Sequence, residues 1–444
     1  MATIVINNAA IVPFGDDAVV ASGAVAFNAA GVLELGTSEQ ILATYKGSDV
    51  FDGGGRLVTP GLINLHSHLY STLARGLTPP GLPPTSFPEV LSDFWWRWDK
   101  CLDLPGVRLS AQLGLLEALS CGVTTVFDHH SSPNAVTGSL ATMAQAYQDT
   151  GCRGSLCYEV SDRDGPGVTQ EGVEENLHFA NKVGTNWNGK LGAHFGLHAN
   201  FTLSENTLRD VSEKLSGRDL GVHIHMAEDD SDNLTARTLG YSGPAERLHD
   251  FGLLNQRSLL IHGVHLELDQ WDLVRQAGAH IVHNPASNLN NAVGMAPVSE
   301  MLAKGLSVGL GTDGYHPQML TSMNLAQLVA RHKTSDSRRG EWAATLLMKS
   351  NPGIASLMLD RTLGALTPGA AADIVLWDYQ PVTPLDGSSA EAHLMFGLQY
   401  SRPVRIWVDG EVIWEQGHSV GVDEDRLMQE AREAVPELWR KFRA

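Results

Sequence analysis

The stretch Gly61-Leu-Ile-Asn-Leu-His66-Ser-His68-Leu-Tyr70 decides the reading of this chain: an apolar run ends in two histidines separated by one serine. Side chains alternate faces along an extended strand, so His66 and His68 point the same way, about 6–7 Å apart, from the strand's C-terminal end. Two imidazoles on one face can converge on an ion. A His-x-His pair alone is weak, and the rest of the chain gives it weight. His225 three residues before Glu228, then His262, then Asp313 each sit at or just past the end of another short apolar run.

Working outward, short apolar runs recur at 62–65, 123–127, 153–158, 191–198, 222–225, 259–262, 280–283 and 308–310, and stretches with helical spacing lie between them. That alternation is the signature of repeated βα units around a parallel sheet, and eight such strands predict a closed (β/α)8 TIM barrel over residues 61–369. Catalytic groups in that fold come from the C-terminal ends of several strands, where these histidines fall. The connection at 69–105 is too long for a plain βα loop and carries Phe94, Trp95, Trp96 and Trp98, which predicts a lid.

Both chain ends read as β structure. Segments at 4–6 and 24–27 find counterparts at 373–377, 404–408 and 412–414, the last two flanking the hairpin signal Asp409-Gly410. The expectation is a small β-sandwich domain built from 1–60 and 370–422, which makes the chain α/β overall. Residues 423–444 have the spacing of an amphipathic helix packed on the body, with Pro436 expected to kink or restart it.

Composition narrows the function. With 43% apolar and 18% charged residues among 444, the chain reads as a well-buried globular enzyme. A net charge of −19 without clustered Lys/Arg argues against nucleic-acid or anionic-membrane partners. The four cysteines form no CxxC pair, and no basic leader or apolar run of about 18 residues occurs, so a cytoplasmic protein with reduced thiols is expected. The same cysteines exclude a nucleic-acid-editing zinc deaminase, which needs H-x-E with P-C-x-x-C.

His66, His68, His225 and Asp313 offer three nitrogens and a carboxylate, a donor set that suits Zn and also Fe or Mn. Such an ion lowers the pKa of water from about 15.7 to about 7, which supplies a nucleophile at neutral pH. Glu228 sits at an odd offset from His225, which places it in the loop beyond the strand; there it can serve as acid and base in turn, a surface Glu being the plainer reading. His262 reads as the residue that orients the attacking water, with a structural or a ligand role as alternatives. His223 reads as a core histidine. Substrate contacts are expected from His198, Glu159, Asp128 with His129, and from a lid aromatic such as Trp95.

Together these motifs, with His283-Asn-Pro-Ala-Ser-Asn288 and Gly311-Thr-Asp-Gly314, resemble the amidohydrolase superfamily, in its mononuclear deaminase and chlorohydrolase branch. The likeness spans nearly the whole chain. Val58-Thr-Pro-Gly-Leu-Ile63 and Leu366-Thr-Pro-Gly-Ala-Ala-Ala-Asp-Ile374 resemble that family's domain junctions. The resemblance implies His66, His68, His225 and Asp313 as metal ligands, Glu228 as proton shuttle, His262 as water-orienting base, and Asp313 also bonding the hydrolytic water. It implies one ion, because the end of strand four carries His198 and no lysine.

Tyr70-Ser-Thr-Leu-Ala-Arg75-Gly76, Trp95-Trp96 and Cys157-Tyr-Glu-Val-Ser-Asp-Arg-Asp164 are most similar to the aminohydrolases called SsnA and add Arg75 to the expected substrate contacts. After Asn288 the chain reads Leu-Asn-Asn-Ala-Val-Gly, where S-adenosylhomocysteine deaminases commonly carry a lysine and a leucine, and this points away from adenosine-type substrates. The expected function is hydrolytic deamination of a small nitrogen heterocycle such as a purine, pterin or pyrimidine, by a homo-oligomer. Dechlorination of an s-triazine-like ring or opening of a cyclic amide is the alternative, and a non-catalytic scaffold the remote one.

Overall fold

A computed structural model describes residues 2–81, 83–187 and 189–444, apart from the side chains of 184–186. The barrel wall consists of two parallel sheets. Leu62–Ser67, Val123–His130, Arg153–Tyr158 and Leu191–Ala193 form one. Phe195–Ala199, Val222–Met226, Leu259–His262, His280–His283 and Ser307–Leu310 form the other. Single bridges join them, Val160 with Leu197 on one side and Ser67 with Asp313 on the other. The second junction is reinforced by the N–H groups of Thr312 and Asp313, which both donate to the His66 carbonyl at 3.0 Å. Last strand therefore meets first at the very residues expected to bind the ion.

The run expected as one strand at 191–198 is split at His194. Its first segment pairs with Arg153–Tyr158, whereas the second pairs with Val222–Met226. His194 occupies the break, its ring Nδ1 2.7 Å from the Ser155 hydroxyl and its backbone N–H donating to the Leu156 carbonyl. A change of neighbour leaves the apolar pattern intact, so periodicity could not show it.

Local chemistry sets the helix ends around the barrel. Asp103 caps Leu104–Ser120 by accepting from the Gly106 N–H at 2.9 Å, with a proline in the first turn. Gly151, at φ 77°, ends Ser139–Thr150 in the left-handed conformation that glycine adopts without strain.

Strands from both chain ends share one nine-stranded sheet, in which Ile374–Trp377 pairs antiparallel with Leu57–Pro60 on one edge and Pro403–Val408 on the other. The sheet folds back on itself: Phe27 and Trp407, four strands apart in the pairing order, stack edge to face at 5.7 Å. Their shared apolar core includes Ile6, Val25, Val58 and Ile374. Asp409 and Gly410, at φ 51° and 73°, make the expected tight hairpin. The terminal helix Glu424–Arg443 runs through Pro436 as one element, contrary to the expected restart. Leu438 and Phe442 are buried beyond the proline, and that packing offsets the lost backbone bond.

Arg153 fastens the barrel to this sheet. Its side chain is fully buried and pairs with Asp373 at 2.9 Å and Asp409 at 2.8 Å. Asp409 also pairs with Arg361 at 2.6 Å, so removing Arg153 strands chiefly the buried Asp373, at a cost of about 3–5 kcal/mol. Arg153→Met is therefore expected to lower the denaturant midpoint by that amount of stability in equilibrium unfolding. An unchanged midpoint would contradict the role given to this pair.

Candidate metal centre and active site

His66 and His68 leave the end of the first barrel strand on one face, as strand alternation requires, and meet His225 from the fifth barrel position and Asp313 after the last strand. Their inward donor atoms all lie within 4.8 Å of one another. Asp313 Oδ1 is 3.4 Å from His66 Nε2 and 3.0 Å from His68 Nε2, and the Nε2 atoms of His68 and His225 are 3.2 Å apart. The outer nitrogens are engaged elsewhere. His68 Nδ1 donates to the His129 carbonyl at 2.6 Å, His225 Nδ1 to the His198 carbonyl at 2.9 Å, and His66 Nδ1 meets His223 Nε2 at 2.8 Å. On His68 and His225 this fixes the tautomer that turns the Nε2 lone pair inward.

Such a cluster fits a cation. His66 Nε2 is buried without a hydrogen-bond partner, and two inward lone pairs 3.2 Å apart repel unless a positive charge lies between them. Burial presses the His66 pKa down to about 3. His68 goes the other way: burial depresses it, but the bond and charge of Asp313, with Glu159 behind, outweigh that and raise it to about 9. The surroundings thus call for positive charge at the centre. Burial raises Asp313, and the close imidazoles of His66 and His68 reverse this and hold it well below the carboxylate range. Ser287 donates to its other oxygen. Three imidazoles and a carboxylate form a suitable donor set for a divalent ion.

Glu228 reaches the centre because the backbone turns. Val222–Met226 ends and Ala227 takes φ 47°, breaking the strand's alternation. Glu228 Oε2 then lies 3.2 Å from His262 Nε2, while Oε1 accepts from Asn291 at 3.2 Å. Burial and the nearby Asp313 charge push the Glu228 carboxyl well above its ordinary range. His262 Nε2 is also 3.9 Å from Asp313 Oδ2, and burial keeps the ring neutral, at about 4. His262 and Asp313 both adopt positive φ, 78° and 59°. Backbone strain of this kind persists where surrounding contacts over-determine it, as at active sites.

A cleft of about 830 Å³, counting space open to solvent, rises from this floor and is lined by Trp95 and Trp96 of the lid and by Phe201. Of the six expected substrate contacts, Trp95, His198 and Glu159 line it. His129 stands behind Glu159, its Nδ1 3.2 Å from that carboxylate. Asp128 is buried below the cleft, where it accepts from the Leu69 N–H at 2.6 Å and shapes the turn after His68. Arg75 lies outside the cleft, 57% exposed and paired with Glu117. His223 is the ring behind His66, and His265 turns away to the Val293 carbonyl at 2.8 Å.

Sequence reasoning missed Arg163, Asp232, Asn288 and Asn291 as parts of this site. Arg163 holds Glu159 at 2.8 Å, bonds Asp99 of the lid, and lies under the Trp96 ring, 5.4 Å from its centroid. Asp232 accepts from the N–H groups of Ala227 and Phe201 at 2.8 and 3.2 Å, bracing the turn that carries Glu228. Asn288 contacts His262 Nδ1 at 2.8 Å. The charged run at 162–164 was a visible signal for Arg163; its lid partner, 64 positions away, had none.

Known proteins resemble this chain in sequence and share its fold. A 5-methylthioadenosine/S-adenosylhomocysteine deaminase of Pelotomaculum thermopropionicum is 28% identical over 447 residues, 99% of each chain. A 5'-deoxyadenosine deaminase of Methanobrevibacter smithii is 26% identical over 397 residues, 88% of each. Among solved structures, an adenosine deaminase from Xanthomonas campestris with bound zinc superposes with a TM-score of 0.84 at 21% identity, covering 99% of this chain and 98% of that one. An atrazine chlorohydrolase from Arthrobacter aurescens TC1 complexed with zinc gives 0.82 at 23% identity, covering 98% and 100%. Residues 57–413 match the model of the amidohydrolase family, and the chain belongs to that family.

Proposed function

We propose that this protein is a metal-dependent hydrolytic deaminase of a flat nitrogen heterocycle, and that His66, His68, His225 and Asp313 hold one divalent ion, zinc in the first instance. The observation that carries the reading is the placement of Glu228: a buried carboxyl 3.2 Å from His262 and beside Asp313, at the floor of an aromatic-walled cleft. The deaminases among the relatives support it. When bound, the ion supplies Lewis-acid activation of water.

The residues supply the rest. Asp313 and His262 orient the attacking water; Glu228 takes its proton and passes it to the ring nitrogen beside the reacting carbon. The water oxygen bonds to that carbon, the carbon–nitrogen bond to the exocyclic amine breaks, and ammonia leaves with the second proton. Asn291 steadies Glu228 during the transfer. Trp95 and Trp96 wall the ring from solvent. The chlorohydrolase alternative would use the same floor with chloride as leaving group, so chloride against ammonia separates the two.

Glu228→Gln should retain its metal yet lose about 10²–10⁴-fold in ammonia release across a panel of purines, pterins and pyrimidines; a variant as fast as the parent would remove the proton shuttle. Chelation should abolish activity, zinc should restore it, and elemental analysis of the restored protein should give about one ion per chain. In His225→Ala that stoichiometry should fall, and full metal content in the variant would contradict the ligand set.

A further inference from the structure

We propose that the cleft selects by charge: its heterocycle enters uncharged or cationic, carrying neither phosphate nor carboxylate. The reacting ring is taken from the deaminase reading; the charge rule comes from the cleft itself. Among the described residues no lysine or arginine lines the cleft, whereas Glu159, Glu228, Asp229, Asp232 and Asp313 do. Asp313 is committed to the ion, Glu228 is held above its ordinary range, Glu159 is paired with Arg163 and Asp232 with two backbone N–H groups. An anionic tail reaching beyond the ion therefore meets the Asp229 carboxylate and no lysine or arginine, and like charges brought together in a partly desolvated site oppose binding.

The cation behind the wall is already engaged. Arg163 pairs with Glu159 at 2.8 Å and Asp164 at 3.1 Å, bonds Asp99, and is covered by Trp96. Lys100 of the lid is held by Asp164 at 2.6 Å. His198 adds no free cation either, since its Nδ1 is engaged with the Thr202 hydroxyl at 2.8 Å and its Nε2 faces the Glu159 carboxylate at 3.8 Å. Beside the Asp229 carboxylate, the cleft offers a ligand aromatic side chains and neutral polar ones such as Ser71, Asn290 and Asn291. S-adenosylhomocysteine, for which several relatives are named, carries an amino-acid carboxylate, and among the described residues lining the cleft that group finds no lysine or arginine.

The test is a binding comparison on the full-length, zinc-loaded protein by calorimetry, using pairs that share a ring: adenosine with AMP, cytidine with CMP, and pterin with pterin-6-carboxylate. The uncharged member of a pair should bind on the order of tenfold more tightly or better. In Asp229→Arg, which places a cation in the cleft, that preference should shrink or reverse. Equal or tighter binding of the phosphate or carboxylate member by the parent protein would overturn the proposal. Ammonia release is followed in parallel, so that neutral rings that bind without reacting would count against the deaminase reading while upholding the charge rule.

Discussion

Three imidazole nitrogens and a carboxylate oxygen, gathered within 4.8 Å of one another and buried, are what holds this molecule's architecture to its shape. Such a group is unfavourable without positive charge, and the protein commits backbone to keep it: the His129 and His198 carbonyls fix the His68 and His225 tautomers, and His223 backs His66. Barrel closure serves the same end, since the N–H of Asp313 is one of the bonds joining last strand to first. Geometry at the centre and closure of the fold are thus one arrangement.

Much of this was legible in the sequence because strand parity is a strict rule. His66 and His68 had to share a face, the apolar runs had to end near His225, His262 and Asp313, and the odd offset of Glu228 required a turn that the structure supplies at Ala227. The chain-end strands and the Asp409-Gly410 hairpin were equally plain, because turn chemistry is local. Less visible were features that depend on partners distant in sequence. The split at His194 changes which strand is neighbour without altering periodicity. Arg75 stands in a motif beside the first histidines, yet its partner Glu117 draws it outside the cleft. Pro436 lies within a continuous helix because the buried residues after it belong to the lid's packing.

The lid shows how distant segments reach the site. Its Trp98 indole donates to the Tyr70 carbonyl at 3.0 Å, and Arg97 donates to the Phe442 carbonyl at 2.7 Å near the chain's end. Trp439 donates to the Leu73 carbonyl at 2.9 Å, so the terminal helix grips the lid segment at both its ends. On the other flank Arg163 and Asp164 hold Asp99 and Lys100. The tryptophan wall of the cleft is therefore positioned by elements from three separate parts of the chain.

Anomalous diffraction at the zinc edge on crystals of the metal-loaded protein tests the central claim most directly. The account predicts a single peak at bonding distance, about 2.0–2.2 Å, from His66, His68, His225 and Asp313. A peak elsewhere, or one that leaves His225 or Asp313 beyond coordinating reach, would contradict it.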